Sequence, residues 1–283
     1  MVKPNFFICG AGRSGTTSLY HYLAEHPDIC MSLEKETRFF SDPQYYDKGL
    51  SWLQQFYSHY SGERAIGEGD PGIMPKFGSP ERVSQVSPDA RLLFIVRDPV
   101  EYLHAVYHFG VQTGIYDCPS RTFSEFIREE ENKWTRQCLR TATYISHFER
   151  FNKYFPKGKF KIVFFDDFVG ETVNAVKDVY SFLGVDESFT PSTEQHNPTR
   201  HTRYPKLFRL AYRVWLPVER YLGDSTIEKT TFLRESIRSF FFDDGAKRPD
   251  MSHRDRQYLE EYYYQPDRRL ERWLGRELPD HWP

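Results

Sequence analysis

The stretch Phe6–Pro27, FFICGAGRSGTTSLYHYLAEHP, decides the fold. Phe6 to Cys9 is an unbroken apolar run of strand length. Gly10 to Gly15 carries three glycines around Arg13 and Ser14 and predicts a tight loop. From Thr16 to His26 the residues Leu19, Tyr20 and Leu23 recur at the spacing of one helical face, and Pro27 stands beyond the end. A strand, a glycine-rich turn and a helix make an anion trap. The N–H groups of a first helical turn have no intrahelical partners, and the helix dipole favours negative charge there. Thr16, Thr17 and Ser18 add hydroxyl donors, and Arg13 adds a fixed positive charge. Gly12, Arg13, Ser14, Gly15, Thr16 and Thr17 are therefore expected to hold an anion.

Further along, Ile29–Met31, Arg91–Val96 (RLLFIV) and Phe160–Phe165 (FKIVFF) read as buried strands. Helical patterns fall at residues 52–60, 100–109, 123–131, 141–154 and 172–183, the last stopped by Gly184. Short apolar strands alternating with helices predict an α/β fold, with a central parallel sheet flanked by helices and a P-loop-like strand–turn–helix. With no repeat and no Gly/Ser linker, residues 1–283 are expected to form a single domain. Thr190 to Pro205 is polar with three prolines and reads as a long loop, and residues 190–250 are expected to form a lid and acceptor-shaping region. From Lys206 the pattern is again helical and ends in Arg254–Leu274.

Among the 283 residues, Lys+Arg is 38 and Asp+Glu is 40, a net charge of −2, which argues against a nucleic-acid binder. Aromatic residues make up 17%, which fits core packing or a cleft for a ring-bearing ligand. Cys9, Cys30, Cys118 and Cys138 show no metal-type spacing, so no metal site is expected. Cys118 and Cys138 are a possible pair, although reduced thiols are the default in a cytosolic chain. No signal-type or spanning apolar run is present, and the expected location is cytoplasmic. A domain trimmed of a membrane anchor would look the same, and no oligomeric state follows from the sequence.

Which anion the turn holds depends on its details. Gly10, Gly12 and Gly15 match the dinucleotide fingerprint, but the nearest ribose-binding acid, Glu34, sits beyond the second strand. Gly10, Gly15 and Thr17 match the frame of a Walker A loop, yet Thr16 replaces its lysine, and Asp166–Asp167 only comes near the place of a magnesium-holding aspartate. A purely structural turn is the plain alternative. The whole segment resembles the donor-binding segment of sulfotransferases that use 3′-phosphoadenosine 5′-phosphosulfate (PAPS), the heparan sulfate type and bacterial carbohydrate and small-molecule enzymes among them. The resemblance implies that the loop holds the donor's 5′-phosphate and that Arg13, where many relatives carry Lys, meets the oxygen bridging sulfur and phosphorus.

RLLFIVRDPVEYLHAVYHF resembles the family's second donor motif, which implies that Arg97 clamps the 3′-phosphate. Its own position agrees, since Arg97 ends a parallel strand where α/β ligands bind, and Asp98–Pro99 starts a helix. Ala105 stands where the family has a Ser on the same phosphate, while the family's Tyr is present as Tyr107. NPTRHTRYPKLFRLAYR resembles the loop that closes over adenine, which makes Arg200 and Arg203 candidates. Arg203, Lys206, Arg209 and Arg213 also recur at helical spacing, so a solvated basic face is the other reading.

LEKETRFF resembles the segment that supplies the catalytic base, here Glu36. The family's His two residues later is Arg38, and a guanidinium close by would make the carboxylate a weaker base. His21, His104 and His108 are alternative bases. Glu68–Gly69–Asp70–Pro71 falls where some relatives carry Glu-Lys-Ser-Pro, so that cation is missing. Tyr144 and His147 occupy a segment the family places beside the cleft, and both also fit a helix facing the core. The resemblance implies metal-independent, in-line sulfuryl transfer from PAPS to a hydroxyl or amine of a carbohydrate, lipid or natural-product alcohol. The alternatives are a P-loop-like nucleotide kinase or NTPase, and a catalytically decayed nucleotide-binding module.

Overall fold

The strand β1, Phe6–Gly10, is buried along its whole length. In the computed structural model, which describes residues 1–113, 122–192, 201–202, 242–243 and 249–283, it is the middle strand of a five-stranded sheet. The other strands are β2 (Ile29–Met31), β3 (Ala65–Gly69), β4 (Arg91–Val96) and β5 (Phe160–Phe164). Every pairing is parallel, and the order is β2-β3-β1-β4-β5. From β1 the chain moves outward to β2, returns to β3 and then crosses β1 to reach β4. The direction of winding therefore reverses between β1 and β4, and open α/β sheets bind ligands at the carboxyl ends of such a pair.

The period-two alternation of β1 sends Phe6 and Ile8 to one face. There they pack with Leu19 and Leu23 of α1 (Thr16–Ala24) and with Val176, Val179 and Leu183 of α7 (Thr172–Leu183). Phe7 points to the other face and meets Phe40 edge-on at 4.9 Å. On that face Phe94 of β4 contacts Phe148 and Phe151 of α5 (Tyr144–Phe151) at 5.0 and 5.3 Å. Burying each such ring contributes about 1.5–3 kcal/mol. The intervening helices are α2 (Ser79–Val86), α3 (Pro99–Thr113), α4 (Lys133–Ala142) and α6 (Phe165–Gly170), and α8 (His253–Leu274) closes the chain. The expected α/β architecture is present, and Gly184 ends α7 in the left-handed region at φ 72°.

Several elements differ from the sequence expectation. The segment Ala65–Gly69, AIGEG, carries no strand pattern, yet it is the fully buried β3. Its glycines are required by close packing. A Cβ at Gly67 would lie 2.3 Å from Phe6 Cζ and 2.4 Å from Met31 Sδ, the two residues paired beside it. The helix expected at 52–60 is a short turn, Leu50–Leu53, that tightens into a 3-10 turn, Gln54–Tyr57. The pattern at 141–154 is broken at Thr143, which leaves the helical region at ψ 71° and separates α4 from α5.

The described chain groups into two compact units. The first, residues 1–102, 140–196 and 260–283, contains the sheet. The second comprises residues 103–139 and 197–259. Within it Thr122 and Glu125 form a reciprocal capping box, and Asp255 accepts from Ser124 Oγ at 2.9 Å and from Arg128 at 2.6 Å. Its two-stranded ribbon pairs His201 with Asp243 and Thr202 with Phe242. Among the described residues no helix is long and apolar enough to cross a membrane. Arg200, Arg203, Cys118 and most of the expected lid lie outside the described residues.

Candidate functional site

The turn after β1 is built around left-handed residues. Arg13 has φ 63° and Gly15 φ 87°. A side chain at Gly15 would be strained by that φ, and its Cβ would lie 3.0 Å from Phe168 Cε1. Gly15 caps α1 without any side-chain hydrogen bond, and no acidic residue lies in the first turn. The cap residue thus supplies no side chain to the amide groups of that turn. Ser14 is fully buried, and its Oγ has no hydrogen-bond partner among the described residues. An unsatisfied buried hydroxyl costs about 1–3 kcal/mol, which a bound oxyanion would relieve. Arg13 is exposed, Thr16 is buried and Thr17 is half-buried. These features fit a phosphate-bearing ligand.

Arg97 follows β4 beside this turn. The register between β1 and β4 shifts by one residue between Ile8 and Gly10, so that Gly10 pairs with Phe94. Ala11 N then donates to Ile95 O at 2.7 Å. The turn is thus tied to the strand that ends at Arg97. Tyr144 of α5 holds the Arg97 backbone, donating from its hydroxyl to Arg97 O at 2.9 Å and accepting from Arg97 N at 3.4 Å. The guanidinium of Arg97 lies over the Phe165 ring at 4.6 Å. Asp98 is buried and accepts from Val100 N at 2.8 Å, which caps α3. The positional role of Tyr144 could not be read from the sequence, because its partner lies 47 residues away. His147, its neighbour on α5, bonds to Arg140 O at 3.0 Å, and burial together with Arg150 lowers its pKa to about 4. That neutral, enclosed ring is structural.

The third strand end carries carboxyl groups. Glu68 of β3 is fully buried and accepts from Thr37 Oγ1 at 3.0 Å and Thr37 N at 3.3 Å. Tyr57 OH lies 3.1 Å from its other oxygen. Burial, with the charge of Asp70 behind it, pushes the Glu68 pKa up to about 8. Asp70 is also buried and accepts from Ser41 Oγ at 2.5 Å and Gly72 N at 2.8 Å. Burial raises its pKa as well. In the sequence Glu68 stands out only as a motif neighbour, because nothing in AIGEG marks the buried strand that carries it.

Glu36 stands at the mouth of this group. Its side chain is 50% exposed and pairs with Lys35 Nζ at 2.5 Å. Its N–H donates to Gly69 O at 2.9 Å. Glu36 and Arg38 both adopt left-handed backbone, φ 68° and 63°. Arg38 pairs with Asp42 at 2.7 Å. Gly69 has no room for a lysine, since a Cβ there would lie 2.8 Å from Tyr20 Cδ2. Lys35, with a side chain only 15% exposed, supplies a cation nearby instead. Of the alternative bases, His104 and His108 bond to each other at 2.9 Å in the second unit, and His21 is exposed on α1 against Tyr20. Asp166, the near match to a magnesium ligand, faces His281 at 2.9 Å. Among the described residues, no group of three or more His, Cys, Asp or Glu is placed to hold a metal ion.

Comparisons with known proteins point to one family. A family model described as a sulfotransferase domain matches residues 3–265. A membrane-associated sulfotransferase of Dictyostelium discoideum is 34% identical over 112 residues, 38% of this chain and 23% of that protein. Human heparan sulfate glucosamine 3-O-sulfotransferase 6 is 26% identical over 199 residues, 70% of this chain and 57% of that protein. The chain thus spans less than two thirds of the length of these curated relatives. A sulfotransferase from Alicyclobacillus acidocaldarius has the same fold, with a TM-score of 0.72 over 98% of each chain at 23% identity. With the family model covering nearly the whole of its length, the chain belongs to the sulfotransferase domain family.

Proposed function

We propose that this chain transfers a sulfuryl group from PAPS to a hydroxyl or amine acceptor by metal-independent, in-line displacement. The observation that carries this reading is the tie between the two anion-binding elements. The turn Gly10–Thr17 and Arg97 leave adjacent parallel strands at the point where winding reverses. A donor with phosphates at both ends of its ribose requires two such sites.

In this reading the N–H groups of Gly12 to Thr17 and the Ser14 hydroxyl hold the 5′-phosphate. Arg13 stabilises negative charge on the oxygen that leaves sulfur, and Arg97 holds the 3′-phosphate. Glu36 accepts the acceptor's proton while the acceptor oxygen or nitrogen bonds to sulfur and the sulfur–oxygen bond to phosphate breaks. Lys35 orients the Glu36 carboxylate through their ion pair. Arg200 and Arg203, which lie outside the described residues, are assigned to the same nucleotide by the family resemblance. The acceptor is a small-molecule alcohol, a glycan or a lipid.

Calorimetry with adenosine 3′,5′-bisphosphate tests the donor half. Binding is expected, and Arg97→Ala should weaken it by about 10- to 100-fold, the loss of one charge-assisted contact. Tight binding of NAD or ATP with no response to the bisphosphate would overturn the reading. Labelled PAPS offered to a panel of sugars, lipids and alcohols, read by mass spectrometry with and without a chelator, tests the transfer half. Arg13→Ala should abolish product, and abolition by the chelator would favour a metal-dependent NTPase instead.

A further inference from the structure

Glu36 does not hold its own position. It sits on an exposed turn, in a backbone region that costs a non-glycine residue about 1–2 kcal/mol, and Arg38 two residues on is in the same region. Two such residues flanking Thr37 persist only where the surroundings over-determine them. The surroundings are the end of β3. Three consecutive residues of that strand end each grip the turn: Glu68 takes the Thr37 amide and hydroxyl, Gly69 O takes the Glu36 amide, and Asp70 takes the Ser41 hydroxyl. The Thr37 hydroxyl in turn accepts from Phe39 N at 3.3 Å.

From this geometry we infer that Glu68 is a positioning residue for Glu36, clamping the turn that presents the Glu36 carboxylate through both polar atoms of Thr37. The inference rests on the reading of Glu36 as the base. Glu68 is fully buried and so acts through the turn. The hydrogen bonds define the form in which it acts. One carboxyl oxygen accepts both Thr37 donors, and the other lies 3.1 Å from Tyr57 OH, which in turn lies 3.1 Å from Gly67 O. A proton on that second oxygen donates to the Tyr57 oxygen, and the Tyr57 hydroxyl then donates to Gly67 O. Every donor has an acceptor in this arrangement. A neutral carboxyl agrees with the upward pKa shift caused by burial and then by Asp70. Glutamine reproduces the same pattern, with its carbonyl toward Thr37 and its amide toward Tyr57.

The test compares Glu68→Ala, Glu68→Gln, Glu36→Gln and the Glu68→Ala/Glu36→Gln double variant. Turnover is measured as release of adenosine 3′,5′-bisphosphate from PAPS, with water and with the most active alcohol of the acceptor panel. Bisphosphate affinity and thermal unfolding are measured on the same samples. Glu68→Ala should lower kcat by about 100-fold, the effect of misplacing a reacting group by about 1 Å, with donor affinity unchanged. Glu68→Gln should stay within about three-fold of the parent. The double variant should be no slower than Glu36→Gln alone, because a residue that acts through Glu36 has nothing left to act on. If Glu68→Ala fails to fold, Thr37→Val removes the clamped hydroxyl alone and should lower kcat by about five- to ten-fold. The inference falls if Glu36→Gln is inactive while Glu68→Ala, or Thr37→Val in its place, turns over normally. It also falls if Glu68→Ala slows the Glu36→Gln enzyme by the same factor as the parent. Normal turnover by Glu36→Gln would instead overturn the reading of Glu36 as base.

Discussion

The proposed donor side and the proposed acceptor side of the sheet are built by different means. At the ends of β1 and β4 the groups assigned to the donor are largely backbone: uncapped helix amides, a left-handed glycine and a register shift that ties Ala11 to Ile95. At the end of β3 the carboxylate of Glu36, the proposed base, is exposed, and buried side chains 29 to 31 residues away in sequence from the turn residues they hold keep that turn in place. Backbone sites depend on which residues can adopt the conformation, whereas side-chain clamps depend on buried polar groups finding each other. The donor side should therefore break at a glycine and the acceptor side at a carboxyl.

Within the backbone of the donor turn a large effect is expected at Gly15. Valine there must adopt φ 87° and place its Cβ 3.0 Å from Phe168, which costs at least about 2 kcal/mol. Bisphosphate affinity should fall by roughly 30-fold or more. Unchanged affinity in calorimetry would mean that the turn does not carry the donor.

The same division explains what could be read from the sequence. The donor turn was legible because strand, glycines, hydroxyls and helix lie within Phe6–Pro27, and each signal is local. Arg97 was legible because the apolar run RLLFIV announces the strand that it ends. The strand β3 was not legible. Its glycines exist to admit Phe6, Met31 and Tyr20, which belong to other elements, and two glycines in five residues weaken any local strand signal. Tyr144 could be placed on a helix but not on Arg97, and Arg38 could be placed beside Glu36 in sequence but not seen to face Asp42.

Each side also contains a buried carboxyl, and their titration sharpens the contrast. Glu68 and Asp267 both have pKa values pushed up to about 8, in each case by burial first and a neighbouring Asp second. Glu68 is fully hydrogen-bonded, whereas Asp267 Oδ2 is buried without a hydrogen-bond partner among the described residues and feels the charge of Asp98. In the unfolded chain both groups ionise in the ordinary carboxylate range. Between that range and about pH 8 the native state therefore binds more protons than the unfolded state, and stability falls as pH rises. Glu68→Gln and Asp267→Asn should each remove up to about 1.4 kcal/mol per pH unit of that slope in urea melts. Asp267→Asn should also change stability at low pH little, since its protonated form already lacks a partner for Oδ2. A slope unchanged in both variants would show that neither group is held neutral.

Tyr144→Phe tests the backbone character of the donor side more gently. It removes one hydroxyl that both donates to and accepts from the Arg97 main chain and leaves the ring packing intact. The expected loss is about 1 kcal/mol, or roughly five-fold in bisphosphate affinity, with kcat at saturating donor unchanged. A fall in kcat alone would place Tyr144 on the acceptor side.

The smallest effect is expected where the sequence pointed to a large one. A guanidinium two residues from Glu36 suggested a weakened base. In the structure Arg38 faces Asp42 at 2.7 Å and lies 5.0 Å from the centre of the Tyr45 ring, with more than half of its side chain exposed. An exposed pair of this kind contributes about 0–1 kcal/mol, and none of it is directed at Glu36. Arg38→Ala should therefore leave turnover within about two-fold of the parent, since alanine meets the same backbone cost at φ 63° that arginine does. Lys35→Met should have the larger effect of the two, because Lys35 is mostly buried and its ammonium meets Glu36 at 2.5 Å. If the ranking were reversed in a pH-rate comparison of the two variants, the turn would have to rearrange during turnover to bring Arg38 toward Glu36, and the β3 clamp would not be the element that fixes it.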